Sequence, residues 1–363
     1  MNPNNYCIIM AGGIGARFWP MSKTLRPKQF IDILGTGETL IQRTFNRFEN
    51  ICPVENIYVV TNEKYRELVR KQLPKLSDDQ ILCEPMARNT APCIAYACHK
   101  ISEKNPNANI VVAPSDHIIL KEDSFTEVIL AGLNATENHD ILLTLGIHPS
   151  RPDTGYGYIQ FNETQAPTFD SRISKVKTFT EKPQLDIARS FLESGDFLWN
   201  SGIFLWNLKS IMHAFEKYLP EMSDAFREGR GIYNTSEEQD FIAKAYAVVK
   251  SISIDYGIME KAGNVFVLAA DFGWSDLGTW GSLYDVRPKD MRGNAIIGNN
   301  VMIYDSDNCI VNMPQDKLVV LQGLNDYIVV EDDNTLLICR KQEEQQIRRF
   351  VEDVRAARGE NFV

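Results

Sequence analysis

Residues 11 to 30, AGGIGARFWPMSKTLRPKQF, place three glycines, two arginines and two lysines directly behind an apolar run. Tyr6 to Met10 reads as a buried strand. Gly12, Gly13 and Gly15 then free the backbone just past its end to turn sharply and aim N–H groups at an anion. Arg17, Lys23, Arg26 and Lys28 add cationic side chains to the same loop, a density suited to several phosphates rather than one. A Walker loop would need Lys-Ser or Lys-Thr after its last glycine, and a dinucleotide fingerprint would need a glycine where Phe18 stands; neither is present. Pro20 interrupts any helix begun at Ala16, which predicts a long loop wrapped over a ligand. The plain alternative is an ordinary strand-to-helix turn with a basic surface.

A second group lies in VVAPSDHII, where Asp116 follows another apolar run. A carboxylate there could hold magnesium against nucleotide phosphates, because that ion prefers hard oxygen ligands and takes only one or two from protein. Capping of the next turn by Asp116 fits the spacing equally well. Nucleophilic catalysis has no support. The five histidines, at 99, 117, 139, 148 and 213, lack metal-ligand spacing, and no Gly-x-Ser-x-Gly elbow occurs. An ionised phosphate ester is already a nucleophile, so a protein acting on one need only neutralise repulsion, align the attack and stabilise the leaving group.

The elements needed to hold these groups are legible as alternating runs. Tyr6 to Met10, Asn56 to Val60, Asn109 to Val112 and Ile141 to Leu145 read as strands. Leu40 to Phe48, Lys64 to Gln72, Ala91 to Lys100 and Phe125 to Asn134 read as helices between them. This is α/β texture with a mixed, mainly parallel Rossmann-like sheet, and ligands of such sheets gather at the carboxyl ends of the strands, where the glycine loop and Asp116 both stand. From about Gly293 the texture becomes β-rich: Ala295 to Ile297, Val301 to Tyr304, Leu318 to Leu321, Tyr327 to Val330 and Leu336 to Cys339. A charged helix over Gln342 to Arg355 follows, with Ile347, Phe350, Val351 and Val354 on one face. The expected division is residues 1–290 and 291–363.

At 363 residues and 44% hydrophobic, the chain is long enough for a large core and a smaller companion domain. Its net charge of −10 argues against a general nucleic-acid binder and sets the basic loop apart from an acidic background. The seven cysteines show no paired metal spacing and several lie in apolar runs, as buried free thiols would. With no leader-like N-terminus and no run long enough to cross a bilayer, the expectation is a cytoplasmic protein without a membrane partner.

GGIGARFWPMSKTLRPKQF resembles the signature of the sugar nucleotidyltransferases, and its Trp-Pro and Pro-Lys-Gln-Phe form resembles the mannose-1-phosphate guanylyltransferase branch. The resemblance runs over roughly residues 6 to 340. It implies transfer of GMP from GTP to mannose 1-phosphate with release of pyrophosphate, Mg2+ as cofactor, Asp116 as a metal ligand, and Asp276 of WSDLGTW as the second. Asp276 could equally cap a helix or a turn. The resemblance also implies a left-handed β-helix-like C-terminal domain, a candidate for homodimer contacts or for packing over the catalytic domain. Longer members carry an isomerase domain of cupin type, and the stop at Val363 leaves no expectation of isomerase activity.

Five further segments agree with it. CEPMARNTAP offers Glu84, Arg88 and Asn89, whose acceptors and donors suit guanine; capping by Asn89 and a Glu84–Arg88 surface pair are the alternatives. TGYGYI, FTEKP and WNSGIFLW offer Gly155 and Gly157 for close backbone approach to a sugar ring, Glu181 and Asn200 for its hydroxyls, and Lys182 for its phosphate. Each taken singly could be a turn, an exposed pair or a strand edge. SIDYGIME also matches, with acidic residues that would shape the site. The implied catalytic residues are Arg17, Lys28 and Lys182, with Gly12, Gly13 and Gly15 cradling the nucleotide.

Overall fold

The computed structural model describes residues 1–162 and 170–363. Two compact units interleave along the chain. The first comprises residues 1–12, 44–115 and 119–274, the second 13–43, 116–118 and 275–363.

Among the described residues, the first unit is built on nine strands: β1 (Asn5–Ala11), β2 (Ile57–Asn62), β3 (Ile81–Glu84), β4 (Asn109–Pro114), β5 (Leu142–Ile147), β6 (Gly157–Asn162), β7 (Ile173–Glu181), β8 (Phe197–Asn207) and β9 (Val265–Ala270). They form one sheet in the order β3-β2-β1-β4-β8-β5-β9-β7-β6, with β6 also pairing to β8. The strands β1 to β4 pair in parallel. Between β4 and β5, β8 enters antiparallel; β9 runs parallel to β5. The sheet is therefore mixed, and the predicted α/β class is the observed one.

Central strands such as NYCIIMA are apolar almost throughout because both faces are covered. On one face Tyr6, Ile8, Tyr58, Val60, Ile110 and Val112 pack with the Thr90–Lys104 helix and with three later helices, Leu208–Tyr218, Pro220–Arg227 and Glu238–Val248. On the other lies the Glu122–Glu137 helix. It approaches so closely that a Cβ at Gly132 would fall 2.9 Å from a Leu205 methyl. Glycine inside a helix costs about 1 kcal/mol relative to alanine, and here the closeness of helix to sheet requires it. Ser115 N donates to Met10 O at 3.0 Å, so β1 and β4 end side by side.

In the second unit, parallel rungs stack Ala295 on Ile310 on Ile328, and beside them Val301–Tyr304 pairs in parallel with Val319–Gln322. This is the expected β-helix-like C-terminal fold. The sequence reading did not include the Ile310–Asn312 rung. The terminal helix starts at Ile347 rather than Gln342. Residues Lys341–Gln346 form a 3₁₀ stretch instead, and there the Glu344 carboxylate accepts from Gly281 N at 2.7 Å. Ile347 and Val351 are buried in a core with Phe18, Trp19, Trp280, Leu283, Ile310 and Ile328; Phe350 and Val354 pack at its edge. Trp19 Nε1 donates to Phe362 O at 2.7 Å.

Candidate active site

The basic loop does not run into a helix. It makes single 3₁₀ turns at Ala16–Phe18 and Lys28–Phe30, linked by bends. Gly15 has φ 72°, and a Cβ there would fall 2.5 Å from Lys28 Cβ, so the loop closes over Lys28 only with glycine at this position. Gly13 faces open space. Inside the second unit, Gly15, Arg17, Lys28, Asp116, Asp276 and Arg348 line one cavity of about 220 Å³, together with Ala16, His117 and Gly278. Lys23 and Arg26 are directed elsewhere: Asp333 lies 3.0 Å from Lys23 Nζ and Asp332 lies 2.5 Å from Arg26 Nη2.

Lys28 is 3% exposed. A buried ammonium must be paired, and Lys28 Nζ donates to Asp116 Oδ2 at 2.8 Å and to the Asp276 carbonyl at 2.9 Å. Burial alone would raise the Asp116 carboxyl, but Lys28 and His117 outweigh it and hold the group below the usual carboxylate range. Asp276 is fixed by its own turn, with Oδ1 accepting from Gly278 N at 3.0 Å. Two carboxylates on one solvent-open cavity suit magnesium, which takes few protein oxygens and leaves the rest of its shell to water and phosphate. Among the described residues no three of His, Cys, Asp and Glu converge as a transition-metal site would require.

In the first unit, Glu84 is 7% exposed. Its Oε1 accepts from the Tyr246 hydroxyl at 3.0 Å, and its Oε2 lies 3.4 Å from where a Gly12 Cβ would be. Arg88 Nε donates to Tyr246 O at 3.2 Å rather than to Glu84. Asn89, at φ 68°, accepts from Thr90 N at 2.9 Å and caps the Thr90–Lys104 helix. The loop is tied to a later segment: Ile252 N donates to Arg88 O at 3.3 Å and Ile254 N to Thr90 Oγ1 at 2.9 Å.

Burial raises Glu84 to about 7, against the opposing Tyr246 hydrogen bond. A carboxyl raised on folding binds its proton more tightly in the native state. Its contribution to stability is therefore full below pH 4.5 and lost as pH climbs through about 7. Glu84→Gln keeps an acceptor for Tyr246 and removes the titration. Urea unfolding should find it close to wild type at pH 4.5 and more stable at pH 8, by roughly 3 kcal/mol at most. Parallel pH profiles for the two proteins would contradict the assignment.

The segment that follows 252–254 reaches the second cluster of this unit. Asn200 Oδ1 accepts from Thr144 Oγ1 at 3.1 Å and from Gly202 N at 3.1 Å, while its Nδ2 donates to Asp255 Oδ1 at 2.9 Å. Those partners fix which end of the amide is which. Glu181 pairs with Lys182. Burial and the neighbouring Glu181 raise Asp255 to about 6. Lys182 sits at φ 49° with its N–H on Tyr156 O at 3.1 Å. Among the described residues, the positive-φ residues other than Gly, Asn and Asp are Lys182 and Leu277, the latter adjacent to Asp276. Backbone held in this region is costly and gathers at functional sites.

A Cβ at Gly157 would collide with Glu181 Oε2, the mobile end of a side chain. Gly157→Ala should therefore leave the fold intact and displace Glu181. Steady-state kinetics should show a KM for the sugar phosphate raised on the order of tenfold, with the KM for nucleotide unchanged. An equal rise in both would assign Gly157 to the scaffold.

The profile of the nucleotidyl transferase family matches residues 6–293, and that of the MannoseP isomerase/GMP-like beta-helix domain matches 298–354. The chain is 36% identical over 359 residues to a mannose-1-phosphate guanylyltransferase of Salmonella montevideo, covering 96% of this chain and 73% of that protein. This chain belongs to the mannose-1-phosphate guanylyltransferase family. Another relative is the alginate biosynthesis protein AlgA of Pseudomonas aeruginosa, 34% identical, with 96% of this chain and 72% of that protein covered. A crystal structure described as mannose-1-phosphate geranyltransferase from Thermus thermophilus superposes with a TM-score of 0.86 at 28% identity, over 97% of this chain and 99% of that one.

For this guanylyltransferase, the sequence reading missed Tyr246, Thr144 and Arg348. Tyr246 and Thr144 act through hydrogen bonds to residues distant in sequence, which leave no local spacing. Asp255 stood in a matching segment, but its contact with Asn200 is a product of folding. No helix among the described residues is long and apolar enough to cross a membrane.

Proposed function

We propose that this guanylyltransferase transfers GMP from GTP to α-D-mannose 1-phosphate, giving GDP-mannose and pyrophosphate. A phosphate oxygen of the sugar ester attacks the α-phosphorus in line. Arg17 and Lys28 neutralise the triphosphate, and Gly12, Gly13 and Gly15 let backbone N–H groups approach it. Glu84, whose ionised carboxyl accepts two adjacent N–H groups, reads the guanine edge with Arg88 and Asn89. Gly157, Glu181 and Asn200 bind the hexose, and Lys182 binds its phosphate. The family uses a divalent cation, which we infer to be Mg2+ held by Asp116 and Asp276; when bound it offsets charge on the phosphates.

The observation that supports this reading most is the meeting of Lys28 with both Asp116 and Asp276 on the Gly15 cavity. Asp116 follows the end of one strand and Asp276 comes from far downstream, and Lys28 reaches the carboxylate of the first and the backbone carbonyl of the second. We assign the reaction to the cytoplasm, a reducing compartment in keeping with seven free, buried cysteines.

The test is pyrophosphate release with each of the four nucleoside triphosphates against mannose 1-phosphate, then with GTP against fucose, heptose and glucose 1-phosphates. GTP with mannose 1-phosphate should give the highest kcat/KM. A preference for another nucleotide would overturn the role of Glu84; a preference for another sugar would overturn that of Glu181 and Asn200.

A further inference from the structure

Arg348 belongs to the C-terminal β-rich region, whose part in the reaction no motif discloses. It stands in the first turn of the Ile347–Arg358 helix and lines the cavity that also holds Arg17, Lys28, Asp116 and Asp276. All five lie in the second unit. The neighbouring arginines are engaged with carboxylates: Arg349 lies 3.7 Å from Asp353 and Arg355 lies 2.9 Å from Glu360. Arg348 is exposed and makes no ion pair among the described residues. Its helix has no acidic residue in its first turn, so the positive end of the helix dipole lies beside the guanidinium and adds to its pull on an anion. An anion in the cavity would satisfy both.

The position is set by packing. Ile347, immediately before it, is fully buried, and Val351 one turn on is buried in the same core. That core also holds Phe18 of the signature loop, so the helix cannot shift without disturbing the loop. Lys28 also pairs with Asp116, and besides it Arg17 and Arg348 are the cavity's arginine and lysine side chains. A guanidinium presents paired donors that match phosphate oxygens.

We propose that Arg348 binds the triphosphate of the nucleotide, and the pyrophosphate formed from it, so that the terminal helix contributes a substrate-binding residue to the catalytic cavity. The proposal rests on the guanylyltransferase reading of that cavity. It makes the β-rich region part of the enzyme's working surface rather than an appendage.

Arg348→Ala tests it, with Arg348→Lys as the conservative variant and Arg349→Ala as the control on the same turn. Calorimetric titration with GTP and with pyrophosphate, in the presence of magnesium, measures binding without requiring turnover. Arg348→Ala should weaken both by about tenfold or more, the size of one charge-assisted hydrogen bond to phosphate. Arg348→Lys should recover part of the loss, and Arg349→Ala should bind as wild type. In turnover assays the KM for GTP should rise while that for mannose 1-phosphate stays fixed. Unchanged binding in Arg348→Ala, or an equal loss in Arg349→Ala, would overturn the proposal. A wild-type protein that binds GTP through Arg348 yet makes no GDP-mannose would instead sink the parent reading and leave this one standing.

Discussion

Lys182→Met should lower kcat/KM for mannose 1-phosphate by roughly 10²- to 10³-fold, the loss typical of removing one electrostatic contact to a reacting group. The fold survives. The Lys182 side chain is 62% exposed, and its pair with Glu181 contributes at most about 1 kcal/mol in that setting. The substitution keeps the length and apolar stem of the side chain and removes only the charge. Lys182 is also held at φ 49°, a costly backbone conformation of the kind that gathers at functional sites. Steady-state kinetics with each substrate varied, alongside a thermal melt, decide the matter. A fall confined to sugar-phosphate kinetics with Tm unchanged is expected; near-normal activity would remove Lys182 from the reaction.

Asp116→Asn carries the second large effect, and it has two separable parts. The first concerns the cation: the magnesium concentration for half-maximal rate should rise about tenfold or more, and kcat should fall with it. The second concerns the fold. Lys28, 4% exposed at its side chain, loses its anionic partner and is left with neutral ones, the Asp276 carbonyl among them. Removing one member of such a pair costs on the order of 3 kcal/mol, reduced here because Asp116 itself is 32% exposed. Adding Lys28→Met to the variant relieves the stranded ammonium and should restore part of the lost Tm without restoring activity. Recovery of activity in the double variant, or a magnesium titration unmoved by Asp116→Asn, would place the cation elsewhere.

These effects trace back to features of very different legibility. Gly15 and Lys28 could be read from a short string because a tight turn and a dense run of cations leave a local mark. The strand before them was equally plain, since Tyr6 to Met10 is apolar throughout. Asp116 was visible as a carboxylate behind a strand, but its pairing with Lys28 was not, because eighty-odd residues separate them. Lys23 and Arg26 looked like members of the same cationic set, yet Asp332 and Asp333 occupy them. Charge in a sequence does not say which carboxylate folding brings near. Asp255 and Tyr246 reach Asn200 and Glu84 only through tertiary contacts, and Arg348 depends on how the terminal helix packs. Spacing rules carry no information at that range, so the resemblance of whole segments supplied what periodicity could not.

The reaction at the centre of this account is displacement at the α-phosphorus of GTP by the sugar phosphate. Mannose 1-phosphate carrying oxygen-18 throughout its phosphate, incubated with GTP, magnesium and the protein, tests it in one mass spectrum. All of the label should appear in GDP-mannose and none in pyrophosphate. Label in inorganic phosphate, release of GMP in place of pyrophosphate, or the absence of GDP-mannose would contradict it.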